Sequence, residues 1–188
     1  MPKLNVIITT TREGRQGLPI AHWFVERVKA HGNFEVEAID LKDVALPLFD
    51  EPVHPRLRQF KHDHTKRWAS IVDAADAFVF VTPEYNFGMP PALLNALDFV
   101  FHEWAYKAAG FVSYGGVSGG IRSVQMAKQV LTSLKIVPIP EAVAIQFFAK
   151  LIDANGKFSP TDLQDQAAAT MLDELAKWTG ALMTLRAR

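Results

Sequence analysis

The sequence predicts an α/β fold, a parallel β-sheet with helices on both faces. Five short segments with strand character alternate along the chain with segments of helical periodicity. Strands that are joined through helices run parallel, and right-handed crossovers place those helices on the two faces of the sheet. The third predicted strand, 77–81, is apolar throughout, which is typical of a strand buried on both faces.

Periodicity and chain breakers locate each element. Residues 34–40 alternate between apolar and polar, as a half-buried strand does. Gly32 and Asn33 end the first helix, and Pro90 with Pro91 suits the first turn of a later one. The predicted strands are 4–8, 34–40, 77–81, a segment ending with 111–114, and part of 135–145. The predicted helices are 18–31, 66–75, 91–106, 121–134 and 160–185, and 41–61 is predicted to be a long loop.

Five such strands fit the flavodoxin-like order 2-1-3-4-5, a three-layer sandwich whose ligand binds where strands 1 and 3 meet. The loops that leave strands 1, 3 and 4 are residues 9–18, 82–90 and 113–120, and they share one edge of this sheet. The chain shows no linker, repeat or low-complexity segment. We therefore predict a single domain over residues 1–188.

Composition excludes several classes of function. Lys and Arg total 20, as do Asp and Glu, so a net charge near zero argues against nucleic-acid and membrane partners and leaves self-association unopposed. The chain has no cysteine, which excludes disulfides, thiolate catalysis and Cys-ligated metals. We see no signal peptide and no apolar run of roughly 18 residues, so the expected compartment is the cytoplasm.

The first loop has the groups that a phosphate needs. It offers hydroxyls, Arg12, Arg15 and the free N–H groups at a helix start. Gly14 and Gly17 do not make a Gly-x-Gly-x-x-Gly or Walker pattern, so a mononucleotide phosphate is favoured over a dinucleotide or a triphosphate. An ordinary solvated loop is the alternative.

The central loop follows the buried strand and carries Glu84, Tyr85 and Asn86. A flavin ring needs apolar flanks and hydrogen-bonding groups along its pyrimidine edge, and this loop offers both. Each residue taken alone also fits an ordinary turn or a solvated surface. As one cluster at a strand end, they favour a planar ligand.

Two other patterns are less informative. Residues 116–120 match Gly-x-Ser-x-Gly between a strand and a helix, yet all six histidines precede Ser118, so the order of an α/β-hydrolase triad is not met. His62 and His64, two positions apart, would point in different directions on a helix, which argues against a metal site.

The helix 91–106 has a wide apolar arc, which fits either complete burial or contact with a partner chain.

Several segments resemble the NADPH-dependent FMN reductase family, which has the flavodoxin-like fold. They are the central motif (82–86, then 90 and 94–98), the phosphate loop (10–17), the third loop (113–122) and 46–49, within a resemblance that covers about residues 3–180. The resemblance implies FMN, NADPH or NADH as co-substrate, and a homodimer or homotetramer. Thr9 and Thr10 stand where the family usually has glycine and serine, and their methyl groups crowd the loop.

The resemblance also assigns the cofactor-binding residues. It places the phosphate at Thr10, Arg12, Gln16, Gly17 and Leu18. It places the isoalloxazine ring against Pro83, Glu84, Tyr85 and Asn86, with Ser113, Gly115 and Gly116 at the other edge.

The predicted function is an FMN-dependent NAD(P)H oxidoreductase with a small-molecule electron acceptor such as a quinone, an azo compound or a free flavin. The cofactor carries the chemistry, so no side chain is named as catalytic and no metal is expected. A flavodoxin-like electron carrier that binds FMN without oxidising NAD(P)H is one alternative, which the zero net charge weakens. A binding domain that has lost FMN is another.

Overall fold

The structure is a computed structural model that describes residues 1–186. It contains a five-stranded sheet in the order β2-β1-β3-β4-β5, in which every neighbouring pair is parallel. The predicted fold class and strand order are therefore confirmed. The last two residues of the predicted domain, 187 and 188, lie outside the described part of the chain. The strands are β1 (Lys3–Ile8), β2 (Glu35–Asp40), β3 (Ala77–Pro83), β4 (Ala108–Tyr114) and β5 (Val137–Ile145).

Six α-helices surround the sheet. They are α1 (Gly17–His31), α2 (Leu41–Val44), α3 (Asp63–Asp73), α4 (Pro91–Asp98), α5 (Ile121–Ser133) and α6 (Asp162–Arg186). α1 and α6 cover one face, and α3, α4 and α5 cover the other. Within residues 1–186, no helix has both the length and the apolar character that crossing a bilayer requires.

The alternation of side chains along β1 builds two cores. Leu4, Val6 and Ile8 pack with α1 and α6, whereas Ile7 packs with the helices of the opposite face. β3 and β4 are buried at every position because they lie in the middle of the sheet and are covered on both sides. This explains their nearly continuous apolar sequences.

The predicted helix over 91–106 is wrong beyond Asp98, where α4 ends. The indole N–H of Trp68 donates to the Ala96 carbonyl at 2.8 Å, and that of Trp104 donates to the Leu97 carbonyl at 3.2 Å. These two carbonyls would accept the next backbone N–H groups of a continuing helix. A short 3-10 turn, His102–Trp104, follows instead and carries Trp104 into the core.

The predicted loop over 41–61 also contains regular structure, namely α2 and a 3-10 turn at Pro55–Leu57. α2 follows β2 directly because the Asp40 side chain accepts a hydrogen bond from the Lys42 N–H at 2.9 Å. Later in the loop, the Asn95 side chain binds Pro47 O at 2.7 Å and Phe49 N–H at 2.9 Å, so this segment is fixed against α4.

Candidate functional site: a cleft at the carboxyl edge of the sheet

Three loops meet at the carboxyl ends of β1, β3 and β4 and enclose a cleft of about 240 Å³. The first loop is joined to β3, because both the N–H and the hydroxyl of Thr9 donate to Val81 O at 3.1 Å. The cleft is lined by eight of the predicted site residues and two others: Thr10, Arg12, Gln16, Pro83, Glu84, Tyr85, Gly115 and Gly116, with Tyr114 and Phe148.

The remaining four predicted site residues do not line this cleft. Leu18 packs against the core beneath α1, and Asn86 lies at the exposed tip of its turn. Ser113 is buried and donates to Gly119 O at 2.7 Å, so its hydroxyl holds the third loop. Gly17, the first residue of α1, lies directly behind the cleft wall, as described below.

The two arginines of the first loop have different roles. Arg15 forms two hydrogen bonds of 2.5 Å with the two carboxylate oxygens of Asp40 and one of 2.6 Å with Thr10 O. The hydrogen bonds to Asp40 raise the pKa of the Arg15 guanidinium. Arg12 is exposed, binds the carbonyl of Glu13 at 3.2 Å, and has no ion pair among residues 1–186. Arg12 is therefore the cation that remains available to a ligand.

Two buried hydroxyls lie at the floor of the first loop. Thr10 Oγ1 and Tyr114 Oη have no hydrogen-bond partner within the described chain. Both lie close to Gly17, since a Cβ at this position would lie 2.5 Å from Tyr114 Oη and 3.1 Å from Thr10 Oγ1. A side chain larger than hydrogen does not fit there. Thr9, by contrast, turns its hydroxyl to β3, so its methyl group does not reach the cleft lining.

The central loop is a tight two-residue turn. Tyr85 N–H donates to Gly88 O at 3.0 Å, and Gly88 N–H donates to Tyr85 O at 2.9 Å. Between them Asn86 and Phe87 have φ values of 48° and 68°, the left-handed pair of a type I′ turn. Asparagine tolerates this conformation, whereas a bulky residue such as Phe87 is strained in it. The turn holds Phe87 outward, at 69% exposure, beside the cleft.

Glu84 joins the central loop to the third loop. Its carboxylate accepts hydrogen bonds from Ser118 Oγ at 2.9 Å, Arg122 N–H at 3.1 Å and Arg122 Nε at 2.6 Å, and it also pairs with Arg122 Nη2. Burial opposes ionisation, but the hydrogen bonds from Arg122 and Ser118 lower the pKa of Glu84 overall. The Arg122 guanidinium also stacks on the Phe87 ring at 3.8 Å.

These contacts account for the Gly-x-Ser-x-Gly pattern without a nucleophile. The Ser118 hydroxyl is bound to Glu84, and Gly119 and Gly120 have φ values of 60° and 85°. A Cβ on Gly120 would lie 2.9 Å from Ser113 Cβ and from Tyr114 N. The pattern is therefore required by a tightly packed turn.

Tyr114 and Phe148 line the cleft but are not among the site residues predicted from the sequence. Their rings form an edge-to-face pair with centroids 5.0 Å apart. Phe148 follows β5, and its N–H donates to Gly115 O at 3.4 Å, while Phe147 N–H donates to Gly116 O at 3.0 Å. The available signal is the aromatic pair Phe147 and Phe148, which comes shortly after the end of the fifth strand at Ile145.

The two histidines also differ from expectation. His62 precedes α3 in an extended conformation, so its ring stacks on that of His64 at 5.1 Å, and both approach Asp50. The expectation that they point apart is wrong because only His64 lies on the helix. Within residues 1–186, no three histidine or carboxylate side chains come together as a metal-binding group.

The strand order is that of a flavodoxin-like fold, in which ligands bind where this cleft lies, at the switch between β1 and β3. A model of the family described as NADPH-dependent FMN reductase matches residues 2–150, and the chain belongs to this family. The predicted class, an FMN-dependent NAD(P)H oxidoreductase, is thereby confirmed, and nothing supports the electron-carrier alternative.

Individual relatives agree with this assignment. An NAD(P)H-dependent FMN reductase of Schizosaccharomyces pombe is 42% identical over 146 residues, which cover 77% of this chain and 72% of the relative. An NADPH azoreductase of a Bacillus species is 30% identical, with 76% of each chain covered, and a quinone reductase of Pseudomonas putida is 29% identical, with 79% and 80% covered. The solved flavoenzyme NAD(P)H:(acceptor) oxidoreductase FerB of Paracoccus denitrificans has the same fold, with a TM-score of 0.75 at 20% identity over 96% and 98% of the chains.

Proposed function

We propose that the cleft holds FMN with its phosphate at the first loop and its ring between the central and third loops. The observation that carries this assignment is the pair of buried hydroxyls without partners, Thr10 Oγ1 and Tyr114 Oη, beside the available Arg12 guanidinium. Buried polar groups are normally hydrogen-bonded, so these hydroxyls fit a polar ligand group that binds beside them. A phosphate has the negative charge and the acceptor oxygens to bind both hydroxyls and the Arg12 guanidinium.

The other end of the cleft suits a flat ring. Pro83, Tyr85 and Phe148 contribute apolar surface, and Gly115 and Gly116 let the backbone approach closely. When bound, FMN supplies the redox chemistry between NAD(P)H and the acceptor. The protein binds and orients the ring, and the contacts of Glu84 fix the spacing of the two loops that flank it.

We propose a quinone, an azo compound or a free flavin as the small-molecule acceptor, since all three are flat and conjugated. Relatives named as a quinone reductase and an azoreductase support this class. Phe87, exposed beside the cleft and supported from behind by Arg122, offers an aromatic surface on which such a ring stacks.

We also propose that the protein works as a homodimer or homotetramer. Large apolar side chains are exposed close to the cleft on the second and third loops and on α5: Phe87, Val117, Ile121 and Met126. Exposed apolar surface of this kind favours contact with a partner chain, and the net charge near zero does not oppose it. The single domain over 1–188 and the cytoplasmic location stay predictions.

The test of the site is a titration of flavin-free protein with FMN. Arg12→Ala should weaken FMN binding by about tenfold or more, because a charge-assisted hydrogen bond to phosphate is lost. Arg27→Ala is the matched control, since Arg27 lies on the exposed side of α1 and pairs with Asp165 at 3.6 Å. Equal FMN affinities of the two variants would contradict the proposed phosphate loop.

A further inference from the structure

Tyr114 is the most unusual polar side chain of the cleft. The residue is 3% exposed, its ring is fixed against Phe148, and its hydroxyl has no hydrogen-bond partner in the described chain. An unpaired buried hydroxyl lowers the stability of the folded protein. Burial also raises the pKa of the Tyr114 phenol well above its ordinary value. The hydroxyl therefore stays protonated at every physiological pH and is available as a donor.

Several donors surround this hydroxyl. It lies against Gly17, the first residue of α1, where backbone N–H groups are free, and Thr10 Oγ1 lies close to the same glycine. Among the described residues, the first turn of α1 contains no acidic residue and the Gln16 side chain makes no capping hydrogen bond. Several donors that converge at the N-terminus of a helix suit an anion.

Arg15 does not supply the charge for this anion, because its guanidinium is already paired with both carboxylate oxygens of Asp40. Of the two arginines in the first loop, Arg12 would thus hold the phosphate, together with hydroxyls and helix N–H groups. With one arginine at the phosphate, a neutral donor inside the cleft contributes a large share of the preference for a ligand that carries a phosphate.

We propose that Tyr114 is a specificity-determining residue whose hydroxyl donates to the phosphate of FMN and makes the site select FMN over riboflavin. This inference rests on the proposed function. Riboflavin ends in a hydroxyl group and has no phosphate oxygens at this position, so the Tyr114 and Thr10 hydroxyls would keep no strong acceptor. A site built from buried donors discriminates strongly against an analogue that cannot pair with them.

The experiment is a titration of flavin-free wild-type protein and Tyr114→Phe with FMN and with riboflavin, followed by flavin fluorescence quenching. The expected result is FMN binding about tenfold weaker in Tyr114→Phe, with riboflavin binding unchanged, so the selectivity falls by the same factor. Tyr106→Phe is the matched control, because the Tyr106 hydroxyl contacts Lys135 at 3.3 Å before β4, at the opposite edge of the sheet. It should leave both affinities unchanged.

Thermal unfolding of the flavin-free variants separates recognition from structure. Since Tyr114→Phe removes an unpaired buried hydroxyl, its melting temperature should equal or exceed that of the wild type while its FMN affinity falls. Thr10→Val should show the same selective loss of FMN affinity. If Tyr114→Phe lost affinity for FMN and riboflavin equally, or lost none for FMN, the inference would be overturned. FMN binding by the wild type would not be affected by either result. Failure of the wild type to bind FMN would overturn the proposed function itself.

Discussion

Glu84→Gln should separate the two loops on which the cleft depends. The carboxylate is 7% exposed and holds the Ser118 hydroxyl and the backbone N–H and guanidinium of Arg122. Glutamine keeps the length of the side chain but replaces one acceptor oxygen with an NH₂ group that faces other donors. The substitution therefore removes the charge and at least one acceptor without leaving a cavity.

The magnitude follows from the hydrogen bonds lost. A hydrogen bond to a charged group contributes about 1.5–3 kcal/mol, and Arg122 is half exposed, so solvent screens its share. We expect a total destabilisation of about 2 kcal/mol. In a chain of this length that corresponds to a fall in melting temperature of about 4–8 °C. Flavin affinity should fall too, because the central and third loops are no longer held in register.

The assays are thermal unfolding and FMN titration, each with Glu174→Gln as the matched control. Glu174 forms an exposed pair with Lys177 at 2.6 Å on α6, so its loss should leave the melting temperature almost unchanged. If Glu84→Gln unfolds at the same temperature as Glu174→Gln and binds FMN as the wild type does, the connecting role of Glu84 is refuted.

The pH dependence has a defined sign. The pKa of Glu84 is lowered in the folded protein, so the unfolded state binds more protons as pH falls below about 4.3. The stability that the carboxylate provides is complete above the unfolded value and is lost as pH falls through the folded value. Wild-type protein should therefore lose more stability on acidification than Glu84→Gln, which urea unfolding at a series of pH values measures.

Two further predictions concern regions away from the cleft. The buried Lys107 ammonium donates to Val72 O and Asp73 O at the end of α3, and burial lowers the pKa of Lys107 to about 8. Between about pH 8 and the unfolded pKa of about 10.4, the unfolded chain binds more protons than the folded protein. The free energy of unfolding, measured with urea, should therefore rise with pH over this range in the wild type and not in Lys107→Met. Light scattering of the purified protein should give a mass of two or four chains, and Ile121→Lys, on the exposed apolar surface of α5, should shift it towards one chain; a wild-type monomer would contradict the proposed assembly.

The sheet was predictable from local sequence because its central strands carry unbroken apolar runs and its edge strand β2 alternates. The end of α4 was not, because it is set by the indoles of Trp68 and Trp104, which reach the carbonyls of the helix from elsewhere in the chain. Periodicity indicates which face of a segment is apolar. It does not indicate which distant side chain donates hydrogen bonds to the last carbonyl groups of the helix.

The candidate site was predictable to the level of its loops. Sequence alone cannot distinguish Arg12 from Arg15, since the difference lies in Asp40, which β2 brings to the first loop. The sequence places Glu84 in the candidate site, where it lines the cleft, but does not show that its carboxylate pairs with Arg122. Tyr114 appeared as the last residue of a strand, and its buried hydroxyl became visible only with Gly17 beside it.

The most direct test of the central claim is the visible absorption spectrum of the protein reconstituted with FMN, recorded before and after NADPH is added without an acceptor. We expect the spectrum of bound oxidised flavin, which bleaches with NADPH and returns when a quinone is added. A bound flavin that NADPH does not bleach would contradict the reductase function and match an electron carrier. Failure of the protein to bind FMN at all would contradict the cleft assignment.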